Sequence, residues 1–230
     1  SAKRFKNYRR LEHKIERELG PLIVGAPDHD QAAFDQIIAW KREQLARTGM
    51  HDFLAPAWTS QLMRNLFAAR DGDFQGLMIT LRIDGRLVAG HFGVRQGAVY
   101  HPWIASTDPE MGAYSIGQLF LIKAIAAMPD LGLTTYDLGP GHDHYKAPYA
   151  LQRRTINEGT LTAAGPSGWR VRLGEGAWRM AGASGGPLVG RVRRRFETIS
   201  DVELTLGGRV RGMAVAVASK ARRSGAASEG

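Results

Sequence analysis

A chain of 230 residues with 43% hydrophobic composition is long enough for one well-buried core, or for one core with appendages. It holds no cysteine, which excludes disulfides, thiolate metal sites and a cysteine nucleophile, and leaves Ser, Lys or a carboxylate for any covalent chemistry. The net charge of +9 belongs to the ends: residues 1–20 carry seven Lys/Arg against three Asp/Glu and residues 166–230 twelve against five, leaving twelve against fourteen between them, so the middle needs no anionic polymer to explain it.

In chain order, Leu11, Ile15 and Leu19 make an i, i+4, i+8 stripe closed by Gly20-Pro21, which predicts a short basic linker helix within residues 1–20. A second helix is expected from about Asp30 to Arg47 and a third from about Thr59 to Ala69, where Thr59 or Ser60 can cap the first turn. The period then changes. Gly76 to Ile83 alternates as a strand, Asp84-Gly85 is a two-residue hairpin turn, and Arg86 to Val94 is the partner strand. Gln96-Gly97 turns the chain into a third strand, Ala98 to Ala105.

A helix is expected over Ser115 to Met128, and Thr134 to Leu138 reads as a short buried strand ending at Gly139-Pro140-Gly141. A short helix near Tyr145 and a strand from about Thr155 to Leu161 follow. The order predicts a mixed α/β (α+β) fold with a largely antiparallel central sheet flanked by helices, and one parallel crossover through the Ser115 helix. Residues 21–165 form the main domain. Residues 166–223 are a basic helical extension, with two amphipathic helices over 188–223 broken at Gly207-Gly208, and residues 224–230 a disordered tail. No apolar run approaches the roughly 18–20 residues of a membrane span, and SAKRFKNYRR has no signal-peptide middle, which predicts a cytoplasmic protein.

Three segments carry candidate chemistry. The first is Ser115-Ile116-Gly117-Gln118-Leu119, where a helix begins after a strand: its unpaired N–H groups and partial positive charge suit a pyrophosphate, and Gly117 permits close approach, although an ordinary serine cap explains the same residues. The second runs from Asp137 at the end of an apolar strand through a glycine turn to His142, His144, Tyr145 and Lys146, a dense polar loop that is either a site or simply solvated. His142 and His144 lack the i, i+4 spacing of a helical zinc site, and no metal is expected. The third is the meander itself, with His91 on its second strand: His101 and Trp103 fall on one face by strand alternation, and if that face looks toward the Ser115 helix entrance His101 could act as a general base or position the acceptor, although either histidine, taken alone, reads equally as a satisfied, partly buried residue. Gly182-Ala183-Ser184-Gly185-Gly186 fits a nucleophile-elbow string without its strand and helix, so Ser184 reads as linker. Arg191 to Arg195 reads as a solvated basic face.

Tyr100-His101-Pro102-Trp103-Ile104-Ala105, then Tyr114-Ser115-Ile116-Gly117, then Asp137-Leu138-Gly139-Pro140-Gly141 with Tyr145-Lys146 resemble the CelD-like (BioF2-like) acetyltransferases of the GNAT superfamily, relatives of the FemAB-like transferases. The likeness spans about residues 3–160. It implies a GNAT-like sheet and the use of acetyl-CoA or another acyl-CoA as co-substrate, with residues 115–119 on its pyrophosphate. The family has Pro at the position of Ile116. The resemblance further implies acyl transfer to an amine or hydroxyl of a small-molecule or glycan acceptor, in some relatives for exopolysaccharide or cell-envelope synthesis. His101 or Asp137 would serve as base, Tyr145 would protonate the leaving thiolate, and Lys146 would contact the acceptor or oxyanion.

Members commonly have two GNAT-like halves, and the chain is expected to begin at the helix that opens the second, with an N-terminal half missing. Two alternatives stay open. One is FemAB-like aminoacyl transfer from a charged tRNA, the sole nucleic acid expected. The other is a non-catalytic envelope-assembly module whose basic C-terminal helices touch the inner membrane surface peripherally.

Overall fold

The computed structural model describes residues 2–139, 146, 148–157, 161–162 and 164–226. The chain forms two compact units, residues 1–48 with 57–151, and residues 49–56 with 152–230.

The first unit is built on helix α1 (Ala2–Leu19), strand β1 (Leu22–Gly25), helices α2 (Gln31–Thr48) and α3 (Ala57–Ala68), and strands β2 (Phe74–Ile83), β3 (Arg86–Gln96) and β4 (Val99–Thr107). A 3-10 turn (Pro109–Tyr114), helix α4 (Ile116–Ala126) and strand β5 (Thr135–Tyr136) complete it. The sheet order is β1-β2-β3-β4-β5; the first three pairings are antiparallel and β4 to β5 is parallel, crossing over through α4. This is the mixed, largely antiparallel sheet that the element order predicts.

The β2–β3 hairpin closes where it should. Asp84 and Gly85 both hold positive φ, 49° and 79°, which is the twist a two-residue hairpin turn needs. Leu77 to Leu81 are buried without interruption because the sheet is covered on both faces. On one face Phe92 of β3 meets Phe34 of α2 edge-on at 4.9 Å, and Phe34 stacks on Phe67 of α3 at 4.4 Å. On the other, Leu119 and Phe120 of α4 share one core with Ile15 of α1 and with Leu77, Ile79 and Tyr100 of the strands. Burying Phe120 fully contributes about 2–3 kcal/mol. Helix α1 is therefore a packed element of the unit, whereas the sequence suggests a linker.

Strand β1 escapes sequence reading because its four residues show no alternation. It is held at its exit by Asp28, whose amide donates to Met78 O at 2.9 Å. Burial alone would raise the Asp28 carboxyl, but hydrogen bonds from Thr80 Oγ1 (2.5 Å), Arg82 and the Asp30 amide (2.9 Å) overcome it and hold the group below its ordinary value.

The second unit contains helices α5 (Pro166–Ser200) and α6 (Leu206–Ala226), the basic extension foreseen from composition. Helix α5 folds back on itself. Trp178 and Phe196 have ring centroids 5.9 Å apart and Arg193 donates to Glu175 at 2.8 Å, whereas a straight helix would hold residues eighteen apart about 27 Å away. The helical break falls at residues 201–205, not at Gly207-Gly208, which open α6, and residues 224–226, expected in the tail, are helical. The strand expected from Thr155 to Leu161 is not seen among the described residues: 155–157 and 161 belong to none. Among the described residues no helix is long and apolar enough to cross a membrane.

Candidate functional site

The parallel pairing of β5 with β4 is brief. Val99 pairs with Thr135 and Tyr100 with Tyr136, and the Asp137 amide still reaches Tyr100 O at 2.8 Å. Beyond this point β4 runs on to Thr107 with no strand on that side among the described residues. The two strands therefore make a fork, open along β4 toward the start of α4.

A bulge lies on the open strand. Phe92 pairs with Ile104 and Gly93 with Pro102, so Trp103 has no partner on β3. This breaks the strict alternation that would set His101 and Trp103 on one face. Gly93 makes the bulge sterically possible: a Cβ there would lie 2.1 Å from His101 O and 2.7 Å from both Pro102 Cα and Trp103 N.

At the base of the fork stand His101 and Asp137. Asp137 uses Oδ1 to accept the Gly139 amide at 2.8 Å, and its Oδ2 lies 3.9 Å from His101 Nδ1. Gly139, at φ 73°, brings its backbone against the imidazole, where a Cβ would lie 3.3 Å from Nε2. Residues drawn from two separate sequence segments thus share one corner. Both are half-exposed, which leaves them reachable from the fork.

At the far end, Ser115 does not act as the expected cap. It is left-handed (φ 48°, ψ 37°), its side chain makes no capping bond, and its carbonyl accepts from the Gln118 and Leu119 amides at 3.1 and 3.4 Å. The Ser115 amide itself donates to Gly112 O at 3.4 Å. Of the five amides in 115–119, those of Ile116 and Gly117 have no backbone acceptor among the described residues. Gly117 sits beside the end of β4, where an added Cβ would meet Thr107 Cγ2 at 3.3 Å. The preceding turn is clamped: Asp108 Oδ1 accepts the Glu110 amide at 2.9 Å, and Arg86 holds both Asp108 and Glu110 at 2.5 Å.

Sequence reasoning did not single out Tyr8 or Tyr149. The Tyr8 hydroxyl donates to Gln118 Oε1 at 2.7 Å, in the first turn of α4, and lies 2.6 Å from the Tyr149 hydroxyl. Neither lies in a recognisable motif, so only folding brings them there. Lys146 falls in a turn, while Tyr145, His142 and His144 lie outside the described residues. Among the described residues no group of three or more His, Asp or Glu could hold a metal ion. An open cavity of about 560 Å³ between α2, the start of β3 and the 3-10 turn, with Trp40, Glu43 and Arg86 in its wall, includes none of the sequence-derived site residues.

His91 is buried rather than catalytic. It packs against Phe120 at 4.5 Å and hydrogen-bonds Tyr136 through Nδ1. Burial first, then the nearby Lys41 charge, pushes its pKa from 6.5 to about 3. The unfolded chain takes up a proton as pH falls through 6.5 that the folded chain refuses until about 3, so His91 costs no stability above pH 6.5 and progressively more below it. His91→Gln keeps a partner for Tyr136 and removes this titration. Between pH 7.5 and pH 5 the variant should lose about 2 kcal/mol less stability than the parent in urea unfolding.

A largely antiparallel sheet, one parallel crossover and a strand fork facing a helix entrance define a GNAT-like α/β enzyme. Residues 2–147 match the acetyltransferase (GNAT) domain family, and the chain belongs to that family and its class of transferases. No curated protein sequence matches the chain. Among solved structures, an aminoglycoside acetyltransferase from an uncultured soil metagenomic sample, in complex with trehalose, is 13% identical, with 61% of this chain and 97% of that chain covered at a TM-score of 0.41. A predicted acetyltransferase with acetyl-CoA from Clostridium acetobutylicum is 10% identical, covering 61% of this chain and 96% of its own at 0.43. A tandem GNAT protein from the clavulanic acid biosynthesis pathway is 14% identical, covering 55% and 42% at 0.40.

Proposed function

We propose that the chain transfers an acetyl or other acyl group from an acyl-CoA thioester to the amine or hydroxyl of a small-molecule or glycan acceptor. The observation that carries this is the fork: one open strand edge joins two helix amides that have no backbone acceptor among the described residues, at one end, to a His–Asp corner at the other. From Thr107 back to His101 the strand spans about 20 Å at roughly 3.3 Å per residue, room for an extended pantetheine arm. The Ile116 and Gly117 amides suit a diphosphate, since they lack backbone acceptors and the glycine removes the side chain that would fill the space. The unpaired main chain of β4 can bond the amide groups of the arm as a further strand would.

At the corner, Asp137 orients His101, and the imidazole accepts the proton of the attacking amine or hydroxyl. The nucleophile adds to the thioester carbonyl, the C–S bond breaks, and the leaving thiolate takes a proton. By motif that proton comes from Tyr145, while Lys146 contacts the acceptor or the developing oxyanion. A role in exopolysaccharide or cell-envelope synthesis is supported by the CelD-like resemblance of the three motifs alone.

The test is mass spectrometry of amino-sugar, amino-acid and hydroxylated acceptors after incubation with acetyl-CoA and longer acyl-CoA donors; no acylated product from any pair sinks the proposal. With a reactive pair in hand, His101→Ala should lower kcat roughly a hundredfold and leave acetyl-CoA affinity by calorimetry unchanged. Asp137→Asn should fall between the two.

A further inference from the structure

The second unit exposes apolar side chains in an ordered way. On the first arm of α5, Trp169, Leu173 and Met180 are 64%, 53% and 76% exposed. Their spacing of four and then seven residues sets them on one line of the helix surface. Arg172 and Arg179 stand on one side of this line and Arg170 on the other. The single acid of the arm, Glu175, lies away from it and is paired with Arg193 at 2.8 Å. Helix α6 repeats the pattern with Leu206, Val210 and Val217, 78%, 70% and 67% exposed, and Arg211 alongside. Its opposite face is the packed one, where Gly212 approaches Ile199 and His51 closely enough that an added Cβ would lie 2.7 and 3.3 Å from them. Helix α6 contains no acidic residue.

We infer that these two helices form a docking surface for an anionic lipid bilayer, with the apolar stripes entering the acyl-chain boundary and the arginines meeting the headgroups. Charge selects this occupant. A second copy of the same surface would set arginine against arginine with no carboxylate between them. A nucleic acid would engage the arginines but leave the central aliphatic and indole groups unsatisfied. An anionic membrane interface takes both kinds of side chain at once: a tryptophan at headgroup depth, aliphatic groups beneath, and guanidinium groups reaching outward.

The experiment is co-sedimentation of the full chain, without acyl-CoA, with vesicles of phosphatidylcholine alone or with about one third phosphatidylglycerol. Binding to the anionic vesicles should exceed that to neutral ones at least about tenfold and weaken in high salt. Trp169→Ser with Leu173→Ser should lower it about tenfold, and Arg172→Gln with Arg179→Gln about fivefold per charge removed. Because all four side chains are exposed, circular dichroism of the variants should match the parent. Equal binding to both vesicle types, no binding to either, or undiminished binding of the Trp169/Leu173 variant overturns the inference. Salt-sensitive tRNA binding without vesicle preference, or a dimer abolished by the Trp169/Leu173 change without vesicle binding, overturns it in favour of that partner. Failure of acyl transfer leaves the vesicle result unaffected.

Discussion

Gly93→Ala should lower the unfolding temperature of the first unit by roughly 10 °C, and Gly112→Ala by no more than about 2 °C. The difference lies in what each new methyl group meets. At position 93 the nearest atoms are His101 O at 2.1 Å, Pro102 Cα and Trp103 N, all main chain, so no rotamer change can make room. Strand β4 must shift bodily, which costs about 3 kcal/mol or more, a large share of the roughly 5–15 kcal/mol that holds a domain together. At position 112 nothing lies within 4 Å and the backbone is not left-handed. Acyl transfer should suffer beyond the loss of stability, since the displaced segment carries His101. A Gly93→Ala protein that melts with its parent would mean the bulge has no need of glycine.

Gly117→Glu should weaken acetyl-CoA binding about a thousandfold, near 4 kcal/mol. A carboxylate in the first turn of a helix stabilises it through the partial positive charge of the terminus, so the fold should tolerate the change. The same carboxylate would occupy and repel the place proposed for the diphosphate. Gly117→Ala is the steric control: its methyl meets only Thr107 Cγ2, at 3.3 Å, and should cost less than tenfold. Calorimetry measures all three, and equal affinity in the parent and the glutamate variant would remove residues 116–117 from the site.

Most of the sheet is legible before folding because its signals are local. The Asp84-Gly85 turn sets the register of β2 and β3, and the helix between β4 and β5 implies the parallel crossover. What escapes depends on partners far along the chain. Trp103 reads as an ordinary strand position because the reason for its bulge, Gly93, lies on another strand. Thr155 to Leu161 is expected as a strand, yet 155–157 and 161 belong to no strand among the described residues, since a segment's own residues do not show whether an edge is free to receive it. Within residues 166–223, expected as a helical extension, what is not legible is the return of α5, which is fixed by the Trp178–Phe196 and Glu175–Arg193 pairs. At the site, His101 and Asp137 can each be picked out by residue type, but their meeting cannot. Ser115 misleads, since a serine before a helix suggests a cap and the observed left-handed turn supplies a carbonyl instead.

Strand β5 is joined to β4 over a short stretch: the parallel pairing covers Val99 with Thr135 and Tyr100 with Tyr136, flanked by bonds from Thr134 and Thr135 to Ala98 and from Asp137 to Tyr100. Such a joint behaves as a hinge pin rather than a wall. Swinging only the end beyond Tyr136 outward sacrifices the Asp137 bond to Tyr100, about 1 kcal/mol, and leaves Tyr136 in place on His91 and Tyr100. In the transfer proposed above, acceptors of different bulk would enter by the same doorway, and discrimination between them would fall to the side chains at the threshold.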